Sequence, residues 1–234
     1  MYFLDEVSPR IFIATFHDHY HLCMSFIRYT EGYEGLHPKF RTSPFMMSEL
    51  HEYESRRGPD LSFSYVTEWT GFNLTGKTIQ NVIQRGIIDI NRWDEVLMGI
   101  WAQCAAQYPD LKFSLIGVSR PSMDDDPDIV PHEMAHAYFA NSNSYMMEME
   151  RAFDAMPELV RDHVTQILSA WDYPSKVLID ETQAYLATGL DGIEEFEILG
   201  QMIDLDKVRQ PFQDIFRKYN QSNFTRRIIY PHIK

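Results

Sequence analysis

The stretch "LKFSLIGVSRPSMDDDPDIVPHEMAHAYF", residues 111–139, changes character twice, and its reading fixes the architecture. Residues 111–120 are a nearly unbroken apolar and β-branched run, the pattern of a buried strand. Residues 121–131 are predicted as a loop, with three consecutive aspartates and prolines at both ends. From Pro131 the chain reads as a helix, because proline is tolerated in a first turn and neither proline nor glycine recurs over 132–140. A strand, a loop and a buried helix therefore follow one another within thirty residues.

Working outward, "RIFIATF" (10–16) reads as a second strand and "DHYHLCMSFIRYTEGYEG" (18–35) as a helix opened by Asp18 and closed near Gly32 or Gly35. Residues 36–76 are rich in Pro, Gly, Ser and Thr, with one short helical candidate, "MSELHEYESR", and an aromatic stretch at 63–72 that reads as core. In "NRWDEVLMGIWAQCAAQ" (91–107), Trp93, Val96, Leu97, Ile100, Trp101 and Cys104 form one apolar stripe at helical period, with Asn91 as N-cap. Downstream, residues 158–171, 174–189 and 206–220 repeat the helical pattern. Gly189 is the expected C-cap of the second, and Pro211 in the third is expected to lie in a first turn. The fold class implied is α+β: a small mixed sheet with a mainly helical C-terminal half. The 234 residues suit a single domain, 1–234, with a soft boundary near residue 110.

Apolar residues make up 44% and charged residues 24%, the balance of a globular protein. A run of 18 apolar residues is absent, so no membrane span is expected. "MYFLDEVSPR" lacks a basic n-region and does not read as a secretory signal. Cys23 and Cys104 lie in apolar surroundings and read as buried reduced thiols, which points to the cytoplasm. The net charge of −13 argues against a nucleic acid as partner.

The chemistry is concentrated at His132, Glu133 and His136, the pattern H-E-x-x-H. On a helix, positions i and i+4 lie one above the other, so both imidazoles face one ion. Zn2+ accepts such nitrogens, and a catalytic zinc needs a third protein ligand plus a water. Glu133 is placed as general base for that water. Glu181 is the leading third ligand, an acid in an otherwise apolar segment that a buried environment would penalise unless paired or metal-bound. Ala184 and Tyr185 continue its helix face. His163 is an alternative ligand. Asp180 is placed either to hold a ligand histidine through its second nitrogen or to stand exposed. Tyr185 is a candidate donor to a developing oxyanion. His17, His19 and His21 form a cluster that reads as a polar strand-to-helix turn or a second metal site.

"HEMAH" followed by "DETQAYLATG" (180–189) resembles the zincin metallopeptidases, in particular the gluzincin branch, over roughly residues 111–190. The first 110 residues resemble no family. The resemblance implies His132, His136 and Glu181 as zinc ligands, Glu133 as base and a peptide or protein substrate. It also implies that strand 112–119 lines the cleft and pairs with an extended substrate. The 44 residues between His136 and Glu181 exceed the spacing in compact members of that class, with the helix at 158–171 set between. The alternative reading is a zincin-like metal-binding protein without general protease activity, acting by binding or on one dedicated partner.

Overall fold

The structure is a computed structural model that describes residues 2–33, 35, 37–57, 63, 65–171, 173–189, 195–196, 200, 203–221 and 226–228. In chain order the elements are β1 (Tyr2–Ser8), β2 (Ile11–Phe16), α1 (His19–Glu31), α2 (Pro38–Thr42), α3 (Met47–Arg57), α4 (Tyr65–Glu68), β3 (Gly71–Thr75), α5 (Gly76–Arg85), α6 (Arg92–Gln107) and β4 (Ser114–Ser119). There follow α7 (Arg120–Asp125), α8 (Ile129–Asn141), α9 (Asn143–Asp154), α10 (Glu158–Ala170), α11 (Leu178–Thr188), α12 (Leu205–Tyr219) and β5 (Arg226–Ile228). The class is α+β. The chain divides into two compact units, Met1–Ile129 with Phe224–Lys234, and Val130–Asn223.

The first unit holds a five-stranded mixed sheet in the order β3-β4-β2-β1-β5. Strands β2 and β4 are parallel, Ile11 opposite Ser114 through Phe16 opposite Ser119, and the other pairs are antiparallel. All six residues of β4 are buried, as expected for a strand covered on both faces. Helix α1 opens where Asp18 accepts the backbone N–H of His21, and it buries Leu22, Cys23, Phe26 and Ile27. It comes so close to the sheet that a Cβ on Gly117 of β4 would lie 2.5 Å from the Phe26 ring and 2.8 Å from Leu22. Only glycine admits that approach.

Helix α6 carries the full capping box: Asn91 accepts from the Asp94 N–H, and the Asp94 carboxylate accepts from the Asn91 N–H. Asp94 also receives the Arg28 guanidinium, Nε to Oδ1 at 2.8 Å, with both side chains 2% exposed. Arg28 donates further to the Phe45 carbonyl at 2.7 Å and to Asp89 at 2.9 Å. A buried cation is tolerated only when its donors are met like this. Tyr65 and Phe72 of the aromatic stretch are core residues, with Phe72 stacked on Phe26 at 5.1 Å.

In the second unit α11 packs on α9, α10 and α12. Its core gathers Tyr138, Tyr145, Met149, Val164, Leu168, Leu186, Phe212 and Phe216. Among the described residues no helix is long and apolar enough to cross a membrane.

Three expectations are corrected. Residues 121–131 are not a loop: Ser119 caps α7 by accepting the Ser122 N–H, Pro121 presets its first turn, and α8 begins at Ile129. Pro211 lies inside α12, not in its first turn. Burying Phe212 and Phe216 on the same helix, worth roughly 1.5–3 kcal/mol each, offsets a proline penalty of about 3 kcal/mol. Strand β4 cannot pair with an extended substrate, because β3 and β2 already occupy both of its hydrogen-bonding edges.

Both cysteines are free and buried, and burial pushes the Cys23 thiol up to about 12. A disulfide-exchange reagent at pH 8 is expected to leave both unreacted in the folded chain and to titrate them on denaturation. Gly117→Ala is expected to lower stability by about 1–3 kcal/mol through overpacking, seen as a lower urea midpoint.

Candidate metal centre

Helix α8 brings His132 and His136 together because they are one turn apart, with ring centroids 4.8 Å apart. Their Nε2 atoms lie 3.1 Å from each other. Glu181, in the first turn of α11, completes a triangle: its Oε2 is 3.5 Å from His136 Nε2 and 4.0 Å from His132 Nε2. All three side chains are largely buried. Among the described residues this is the one group of three or more His, Cys, Asp or Glu side chains with metal-holding geometry.

The triangle fits a metal on two counts. Ligands about 2.0–2.2 Å from a tetrahedral zinc lie roughly 3.4 Å apart, and the three edges bracket that value. Glu181 Oε2 is also buried without a hydrogen-bond partner, the condition that a bound cation relieves. Neither Lys nor Arg pairs with Glu181; its ion pairs are with the two histidines.

The two histidines are electrostatically unlike. Burial, and then the neighbouring His136, hold His132 well below the ordinary histidine range, so it is neutral with a lone pair to offer. Burial would also lower His136, but Asp180 and Glu181 outweigh it and raise the group well above the ordinary value. The cluster therefore favours one positive charge beside His136. Asp180 Oδ1 lies 2.8 Å from His136 Nδ1, so the proton sits on Nδ1 and Nε2 faces Glu181 and His132. Of the two places open to Asp180, the structure selects the one that orients a histidine.

Tyr185, one turn beyond Glu181, packs edge-on against His132 at 4.7 Å between centroids. Its hydroxyl shares a hydrogen bond of 3.3 Å with Tyr173, a residue that sequence reasoning missed. Tyr173 lies between α10 and α11, where no periodicity marks it. Burial is the main cause that keeps both phenols protonated, and both feel the charges of Glu181 and Glu133. Glu133 is itself buried, so base candidate and phenols share one environment.

The remaining candidates are elsewhere. His163 bonds the Leu159 carbonyl of its own helix at 2.8 Å and takes no part in the triangle. The three N-terminal histidines face three different settings. His17 packs on Phe3, His19 bonds Ser122 at 3.0 Å and contacts Cys23, and His21 bonds Asp18 at 2.6 Å. No metal-holding group includes them among the described residues. No protein-family model, curated protein or solved structure matches the chain.

Asp180→Ala is expected to lower stability by about 3 kcal/mol, because the His136 charge loses its buried partner. His163→Ala should stay within about 0.5 kcal/mol of the parent. Urea midpoints at pH 7 in the metal-free protein compare the two directly.

Proposed function

We propose that the chain is a zinc-dependent, metallopeptidase-like hydrolase of the gluzincin type. The ligands would be His132, His136 and Glu181. The observation that carries this reading is the buried triangle of Nε2, Nε2 and Oε2, whose edges suit one tetrahedral cation and whose carboxylate oxygen lacks a hydrogen bond. When bound, zinc supplies a Lewis acid for the scissile carbonyl and lowers the pKa of a water to about 7.

The chain's own groups do the rest. Glu133 takes a proton from the attacking water and delivers it to the leaving amine. Asp180 holds the His136 ring so that Nε2 stays available. Tyr185 and Tyr173 remain protonated beside the cluster, which suits either to donate to the carbonyl oxygen as it gains charge. The substrate class is a peptide or protein. The net charge of −13 speaks against nucleic acid, and the two free, buried thiols support a cytoplasmic address.

Elemental analysis of the reconstituted chain should give about one zinc per molecule. Glu181→Ala should lose it and His163→Ala should keep it. Glu133→Gln should retain zinc while peptide hydrolysis falls about 10²–10⁴-fold. A wild type that takes up no zinc would remove the hydrolytic reading altogether. Zinc uptake with every peptide in a broad library left intact would favour a binder, or an enzyme for one dedicated partner.

A further inference from the structure

Behind His136 the structure contains a chain of side chains that the site itself does not require. Asp180 Oδ1 accepts from Gln183 Nε2 at 3.0 Å as well as from His136 Nδ1. Gln183 Oε1 in turn accepts the hydroxyl of Tyr145 at 2.8 Å. Tyr145 comes from α9 and Gln183 from α11, and both are fully buried. A buried glutamine on a helix is disfavoured against an apolar residue unless both ends of its amide are met. Here both are met, and the orientation is fixed: the carbonyl end faces a hydroxyl, so the NH2 end must face the carboxylate. Burial keeps the Tyr145 hydroxyl protonated, so it can only donate along this line.

We infer that Tyr145 and Gln183 are positioning residues for the metal, acting through Asp180 to hold His136 in the ring orientation that binds it. The inference rests on the metal reading of the triangle. Gln183 removes one degree of freedom from Asp180, which would otherwise rotate towards solvent, since its side chain is 29% exposed. Tyr145 fixes which way round the Gln183 amide stands. The elements thus joined are the metal helix α8, the ligand helix α11 and α9. Partners one step beyond a metal ligand alter metal affinity without touching the ion.

The test is a double-variant cycle on zinc affinity, measured with zinc alone by competition against a chromophoric chelator at fixed pH. The variants are Tyr145→Phe, Gln183→Met and the pair together. Both substitutions keep the size of the side chain, and circular dichroism reports whether each variant is folded. Gln183→Met should weaken zinc binding by about tenfold. Tyr145→Phe should weaken it by about fivefold, as for one neutral hydrogen bond. Because Tyr145 acts only through Gln183, the double variant should match Gln183→Met and show no further loss. Losses that multiply in the double variant would overturn the relay, since packing defects at separate points combine independently. So would wild-type affinity in folded single variants. A wild type that binds no zinc would overturn the metal reading first and the relay with it.

Discussion

A carboxylate taken out of water must be given a positive charge, and each unit of this protein is arranged around one such acid. In the first unit Asp94 is answered by Arg28, whose remaining donors are taken up by a backbone carbonyl and Asp89. The demand is closed, and the result is structure: α1, α6 and the segments at 45 and 89 are tied to one guanidinium. In the second unit Glu181 is answered only by two imidazoles, one of them neutral. The demand is left partly open there. The same electrostatic rule thus yields a structural tie where arginine is supplied and a cation site where it is withheld.

The centre was legible in the sequence to the extent that its parts are local. His132 and His136 meet because any α-helix brings i and i+4 together, so two letters and a helical reading suffice. Glu181 could be singled out because an acid in an apolar helix needs an explanation, and Asp180 was one of two open assignments beside it. Tyr173, Gln183 and Tyr145 were not legible. Each acquires its role only when α9, α11 and the segment before Pro174 pack together, and nothing within a few residues of any of them encodes that partner.

The fold shows the same division. Helices α1 and α6 follow from their caps and apolar stripes, and β2 and β4 from runs of β-branched and aromatic residues. Strand β1 escaped the pattern because its inward set includes Glu6 and Ser8 along with Leu4, so the expected alternation of apolar and polar residues is missing. Glu6 is accommodated there by Arg10 N–H and the Tyr108 hydroxyl, the latter a hundred residues away. Helix α9 buries only Tyr145, Met149 and Phe153, a stripe too narrow to stand out. The strand implied to receive a substrate failed for a topological reason: a run as apolar as 114–119 is apolar because it is central, and a central strand has no free edge.

The sheet is closed by β5, which pairs Leu4 with Ile228 and Glu6 with Arg226. The chain leaves the first unit after Ile129 and returns to it only at Phe224, so the metal-bearing unit is an insertion between the fourth and fifth strands. During synthesis on the ribosome, β1 emerges first and its last neighbour emerges last. The outer edge of β1 waits unpaired while the whole inserted unit is made. Closing a pairing over so long a stretch of chain is entropically the slowest kind of contact to form. The order of assembly is therefore set by topology: the inserted unit is complete before the sheet that frames it.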